Sequence, residues 1–250
     1  MKVKTILVSQ PQPKADVVSP YQELAEKHKI KIDFRPFIQV VGVDVPDFRK
    51  DKINLAEFTA VIFTSRNAVD HFFRMCEGMR VTISNDLKYF CQSEAVAYYL
   101  QKYVVYRKRK IYPGKVLFKD LIPFLKKHKD EKFLLPSSDV LKADIPEALK
   151  NAKLEYTRAI LYKTVSCDLS DLADVYFDVL VFFSPSGIQS LFENFPDFEQ
   201  GKTRIAVFGS STTKAAEDAG LICDIKAPTS EFRSMTMALE SYIKKVNKGR

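Results

Sequence analysis

Along almost the whole chain, short apolar runs alternate with stretches in which apolar positions recur every third or fourth residue. The runs Thr5–Ser9, Ile30–Phe37, Ala60–Phe63, Lys88–Cys91, Phe133–Leu135, Val179–Phe183 and Arg204–Phe208 have the length and near-continuous hydrophobicity of parallel strands covered on both faces. Between them, Pro20–His28, Asn67–Cys76, Glu94–Gln101, Val116–His128, Ile145–Asn151, Ser186–Phe192, Thr212–Ala219 and Phe232–Val246 carry the helical period. This alternation predicts layered α/β architecture with mostly parallel sheets. No low-complexity linker interrupts it, so a second domain is expected to be inserted into the first.

The pattern repeats itself. "AVIFTSRNAVDHFF" (Ala60–Phe73) and "VLVFFSPSGIQSLF" (Val179–Phe192) each read as strand, Ser-containing turn and helix. "YFCQSEAVAYYLQKYVVY" follows the first and "IAVFGSSTTKAAEDAGLICDI" the second, with the same order of elements. Two similar α/β halves are predicted. The extended segments Ile30–Val45 and Leu154–Cys167 flank the first repeat and are expected to run side by side as a two-stranded connector. On this reading a discontinuous domain comprises residues 1–34 plus 168–250, an inserted domain spans 43–158, and 35–42 with 159–167 join them.

Composition narrows the class. The 250 residues are 46% hydrophobic and 28% charged, as in an ordinary globular chain. No apolar run approaches the ~18 residues of a membrane span, and "MKVKTILVSQPQPKAD" reads as a first strand instead of a leader. Cys76, Cys91, Cys167 and Cys223 lack paired spacing, which predicts reduced thiols and a cytoplasmic location. His28, His71 and His128 form no ligand motif, so no metal is expected. The formal charge of +8 favours anionic partners.

The predicted turns all lie where a strand leads into a helix. In parallel sheets ligands collect there, because helix N-termini present unpaired N–H groups and a positive dipole end. Candidate residues are Thr64, Ser65, Arg66 and Asn67; Gln92 and Ser93; Ser137 and Ser138; Ser184, Ser186 and Gly187; and Ser210, Ser211 and Thr212. Each hydroxyl also has the simpler reading of a helix N-cap. Taken together the turns describe an anion site of amide and hydroxyl donors, without the glycine spacing of a dinucleotide or P-loop site.

The ordered set "FTSRNAV", "LPSSDVLKADIPEAL", "ILYKTV", "FFSPSGIQSLF", "AVFGSSTTKAAEDAGL" and "APTSEFRSMTMAL" resembles the uroporphyrinogen-III synthase family over nearly the whole chain. The resemblance implies two flavodoxin-like α/β domains with parallel sheets, joined by a two-stranded β-ladder, with a cleft between the domains as the active site. It implies a lyase that cyclises the linear tetrapyrrole hydroxymethylbilane, a polycarboxylate, to uroporphyrinogen III with inversion of ring D and loss of water. It implies no cofactor and a monomer that makes at most transient contact with hydroxymethylbilane synthase.

By the same resemblance, Tyr162 in "ILYKTV" is the candidate acid for the departing hydroxyl, and an ordinary strand tyrosine is the competing reading. Thr64, Ser65, Ser184, Ser186, Ser211 and Thr212 match residues near the substrate's carboxylates. Lys142 stands where many members have arginine and so lacks the bidentate fork. Gln10 occupies another frequent arginine position, and Gln92 replaces a glycine usual in its turn.

The remaining features read more simply. "YRKRKIYPGK" at Tyr106–Lys115 is expected to be a solvated loop, and His71 a surface residue. A two-domain anion-binding module without catalysis is the alternative function. Nucleic-acid binding is disfavoured by the scatter of the basic residues.

Overall fold

The structure is a computed structural model describing residues 2–13 and 19–247. In chain order the elements of the first half are β1 (Thr5–Val8), α1 (Pro20–His28), β2 (Lys31–Phe34), β3 (Ile38–Gly42), α2 (Val45–Arg49), β4 (Ala60–Phe63), α3 (Arg66–Gly78), β5 (Lys88–Cys91), α4 (Glu94–Tyr99), β6 (Ile111–Pro113) and α5 (Ile122–Lys127). They continue as β7 (Phe133–Ser138), α6 (Asp144–Asn151), β8 (Tyr156–Ser166), β9 (Val179–Phe182), α7 (Pro185–Asn194), β10 (Arg204–Phe208), α8 (Ser210–Asp218), β11 (Cys223–Ala227) and α9 (Met235–Asn247). Among the described residues no helix is long and apolar enough to cross a membrane.

The chain divides into two compact units. The first is Met1–Gln39 with Val165–Arg250, and the second is Val40–Thr164. The boundaries fall within β3 and β8, which are hydrogen-bonded neighbours. Val43 N–H donates to the Leu161 carbonyl at 2.9 Å and Cys167 N–H to the Phe37 carbonyl at 2.9 Å. One strand ascends in number as the other descends, so the pair is antiparallel.

In the first unit the sheet order is β11-β10-β9-β1-β2, with every pairing parallel. Alternate side chains of each strand serve opposite faces. Ile6, Val8, Val179 and Val181 pack under Leu24 of α1 and Leu239 and Ile243 of α9. Leu7, Leu180, Phe182 and Val207 pack under Ile188 and Leu191 of α7 and Ala216 of α8. Burying both faces explains why β9 is apolar at all of its positions.

The second unit has the order β3-β8-β7-β4-β5-β6, and β8 through β6 are parallel. Val61, Phe63 and Tyr89 face α3 and α4 through Phe72, Met75 and Val96. Ala60, Ile62 and Phe90 face α5 and α6 through Leu125, Ile145 and Leu149.

The two sheets share one spatial arrangement reached by different chain orders. Reading across, β6-β5-β4-β7-β8 corresponds to β11-β10-β9-β1-β2. In the first unit the last two of these strands come first in sequence, and in the second they come last. Numbered within its own unit, the first sheet is therefore 2-1-3-4-5, the flavodoxin order, and the second 3-2-1-4-5; both are doubly wound. The repeated stretches at Ala60 and Val179 supply β4-α3 and β9-α7, the equivalent central strand and its helix.

Local differences from the sequence pattern have local causes. The run Ile30–Phe37 is not one strand: β2 joins the first sheet beside β1, and the chain breaks at Pro36, which lacks an N–H, before β3 begins. Val116–His128 is a 3₁₀ turn at Phe118–Leu121 followed by the shorter α5. The segment Tyr106–Lys115 contains β6, an edge strand whose three residues carry too little pattern to read.

Candidate functional site

Doubly wound sheets offer a ligand position beyond the strand ends where the winding reverses, which is beside β1 and β9 in the first unit and β4 and β7 in the second. Ser65 ends the turn after β4 in an extended conformation and caps α3, its Oγ accepting from Ala68 N–H at 3.1 Å. Ser93 caps α4 through Val96 N–H at 3.4 Å, and Ser184 caps α7 through Gly187 N–H at 3.2 Å. These three hydroxyls are thus genuine N-caps. Their helices differ in charge. The first turns of α3, α5, α7, α8 and α9 hold no acidic residue, whereas α1, α2, α4 and α6 each have one or more; of the first set, α3, α7 and α8 follow the candidate turns. A first-turn carboxylate normally complements the dipole, so α3, α7 and α8 keep their positive ends for another anion.

Ser65 does more than cap. Its Oγ lies 3.2 Å from the hydroxyl of Tyr162 on β8, and either oxygen can donate. Register explains the meeting: β8 runs beside β7, where Tyr162 pairs with Ser138 across a shift after Ser137, and β7 runs beside β4. The Tyr162 side chain is buried, at 7% exposure. Burial pushes its pKa above the ordinary tyrosine value, against hydrogen bonds from Ser65 and the Ser138 backbone that pull the other way. The phenol therefore carries its proton at neutral pH. Its ring stacks on His71, with centroids 4.9 Å apart and planes 18° from parallel.

The other predicted residues fall into three groups. Thr64, Arg66 and Asn67 extend the turn before α3; Arg66 and Asn67 are exposed, and the Arg66 guanidinium lies 5.4 Å from the centre of the Tyr99 ring. In the first unit, Ser184, Ser186 and Gly187 open α7, and Gln10 is exposed just past β1. Gly187 is buried where a Cβ would come within 3.8 Å of the Ser9 hydroxyl, so both sides of the winding reversal meet there. Ser210 and Ser211 are exposed at the start of α8, which follows Gly209 at φ +91°, a left-handed conformation that suits glycine.

A second group is engaged within the fold. The Gln92 side chain donates to the Val116 carbonyl at 3.4 Å. Its own carbonyl leaves no room beyond a glycine at position 114, where a Cβ would lie 2.7 Å away. The Ser138 hydroxyl donates to the Val140 carbonyl, and Lys142 is exposed beyond it.

Ser137 and Thr212 need correction as side-chain ligands. Each is 1% exposed. The Ser137 hydroxyl accepts from Arg158 Nε at 2.9 Å and donates to the Ser138 carbonyl at 3.0 Å. Thr212 points into the core on the same face of α8 as Ala216. Strand alternation and helical period turned both inward, a direction that a Ser/Thr-rich turn does not announce.

Sequence reasoning also missed His71, which is half-buried against Tyr162, and Arg74. Arg74 Nε donates to His71 Nδ1 at 3.3 Å, and its Nη2 donates to the carbonyls of Val43 at 2.6 Å and Leu161 at 3.3 Å. Their spacing of three on α3 marked a shared helix face, but nothing local identified β8 as what that face meets.

A model of the family described as uroporphyrinogen-III synthase HemD matches residues 19–237. A comparison with curated protein sequences finds no match. Among solved structures, the uroporphyrinogen-III synthetase of Helicobacter pylori 26695 is similar with a TM-score of 0.60 at 18% identity, covering 97% of this chain and 99% of that one. A mutant uroporphyrinogen III synthase from the extremely thermophilic bacterium Thermus thermophilus has a TM-score of 0.55 at 15% identity, covering 98% and 99%. At these identities the two structures speak for the fold. The family match spans most of the chain, and with the paired doubly wound sheets it places this protein in the uroporphyrinogen-III synthase family.

Proposed function

We propose that the chain is a cytoplasmic lyase, working as a monomer and without a cofactor, that closes hydroxymethylbilane to uroporphyrinogen III. The observation that carries the reading is the buried, protonated Tyr162 hydroxyl beside Ser65 at the uncompensated N-terminus of α3. The Tyr162 hydroxyl gives its proton to the hydroxyl leaving ring A, which departs as water and leaves an azafulvene. The substituted carbon of ring D attacks the azafulvene carbon to give a spiro intermediate. The bond from that ring-D carbon to its original methylene bridge then breaks, leaving a second azafulvene on the neighbouring ring, and the free α-carbon of ring D closes onto that methylene, so the ring is inverted. The proton lost as ring D regains aromaticity returns to the phenolate, so acid and base work balance.

Binding is shared among many donors. Each unit offers carboxylate donors of its own: backbone N–H groups with the hydroxyls of Thr64 and Ser65 at the N-terminus of α3 in the second, and backbone N–H groups with those of Ser184, Ser186 and Ser211 at the N-termini of α7 and α8 in the first. Neutral donors suit a flexible polyanion, and the larger part of the catalytic effect is the folding of the bilane that brings the ring-D carbon to ring A. The test couples the purified protein to hydroxymethylbilane synthase and separates the oxidised products by chromatography. Type III product in excess over the type I background supports the assignment. Product entirely of type I, from a folded protein, refutes it.

A further inference from the structure

His71 has no task in the reaction just described, yet its surroundings constrain it closely. Its ring covers one face of the Tyr162 phenol. Arg74, one turn further along α3, donates to His71 Nδ1 and anchors itself on the carbonyls of Val43 and Leu161. Gly42 makes room for that anchor, since a Cβ there would lie 2.6 Å from the guanidinium carbon. A nitrogen that accepts from arginine carries no proton, so the ring is neutral and protonated on Nε2. Burial and then the Arg74 charge push the His71 pKa below its ordinary value, against a smaller pull upward from Asp70. The Tyr162 hydroxyl is held by a long 3.2 Å hydrogen bond with Ser65 and by the Ser138 backbone, and the ring that packs on it shares in setting the phenol's angle.

We infer that His71 is a positioning residue: held as a neutral ring by Arg74, it stacks on Tyr162 and aims the phenol hydroxyl at Ser65 and, if Tyr162 is the acid as proposed above, at the departing hydroxyl. Acting only through Tyr162, it has no effect of its own on the chemistry. A stacked pair of this kind contributes enough to change the population of the productive orientation by roughly three- to tenfold.

The experiment is a double-mutant cycle joined to a spectroscopic readout. His71→Ala should lower kcat by roughly three- to tenfold with little change in KM, and His71→Phe, which keeps a flat ring, should recover most of the loss. In a Tyr162→Phe background, His71→Ala should cost nothing more. Equal losses in both backgrounds would overturn the inference. Tyrosine labelled with ¹³C at Cζ reports the phenol directly, the Tyr162 resonance being the one missing from Tyr162→Phe. That resonance should move or broaden in His71→Ala and not in His71→Phe; an unmoved resonance in both overturns the positioning role whatever the kinetics. If Tyr162→Phe turns over as fast as the parent, the acid role falls while the resonance still decides the positioning.

Discussion

Replacing Tyr162 by Phe removes one oxygen and little else. The ring stays buried and stacked on His71, and the lost interactions are the 3.2 Å contact with Ser65, which caps α3 without help from the phenol, and the hydrogen bond with the Ser138 backbone. Two such hydrogen bonds contribute up to about 1 kcal/mol each, so the melting temperature should fall by no more than about 4–8 °C in a chain of this size. Turnover should respond far more. The parent phenol is protonated at neutral pH because burial raises its pKa, so it can donate without activation. Its loss should lower kcat by roughly ten- to a thousandfold, at and below the usual range for acid catalysis because the hydroxyl also leaves unassisted. The product should remain type III, since the fold of the bilane is set by many carboxylate contacts. The assay is the coupled reaction at matched protein stability, with turnover and isomer ratio scored together. Unchanged turnover would refute the acid role, and a switch to type I would show that Tyr162 orients ring D instead.

Ser65→Ala removes both the α3 cap and the partner of Tyr162; it should cost about 1 kcal/mol of stability and raise KM modestly, because the backbone N–H groups of the turn remain. Michaelis plots and thermal melts check this, and complete loss of activity in a folded protein would contradict it. In the first unit, buried Asp178 accepts the backbone N–H groups of Lys4 at 2.7 Å and Thr5 at 3.0 Å through one oxygen. Asp178→Ala strands both donors and should destabilise by roughly 2–6 kcal/mol, whereas Asp178→Asn keeps an acceptor and should lose less; equal denaturation midpoints for the two would refute the account. Burial pushes the thiols of Cys76 and Cys91 up to about 12, from an ordinary value near 9. The unfolded chain then ionises first, so stability is unaffected below about pH 9 and should fall by about 1.4 kcal/mol per pH unit per thiol as pH rises toward the folded value. Denaturant titrations between pH 8 and 11 measure the slope, and a parent curve as flat as that of Cys76→Ala with Cys91→Ala would count against it.

What the chain determined by itself is local. The strands Ala60–Phe63 and Val179–Phe182 are apolar throughout because both faces are buried, and Ser65, Ser93 and Ser184 precede their helices because a nearby hydroxyl satisfies an orphan N–H. These relations act over a few residues, so they can be read in order. The ordered motifs also carried the family. Tertiary structure decided the rest, through contacts whose partners are far apart in sequence. It set the permuted chain order of two alike sheets, and it sent Lys31–Phe34 into one sheet and Ile38–Gly42 to the side of β8. It also turned Ser137 and Thr212 inward, and brought His71 of α3 onto Tyr162 of β8 and Arg74 of α3 onto the Leu161 carbonyl beside it. A strand's side-chain pattern says that two faces must be covered and is silent about which neighbour lies at its edge. That choice belongs to the closing of long loops and the packing of whole layers, where no single residue holds the answer.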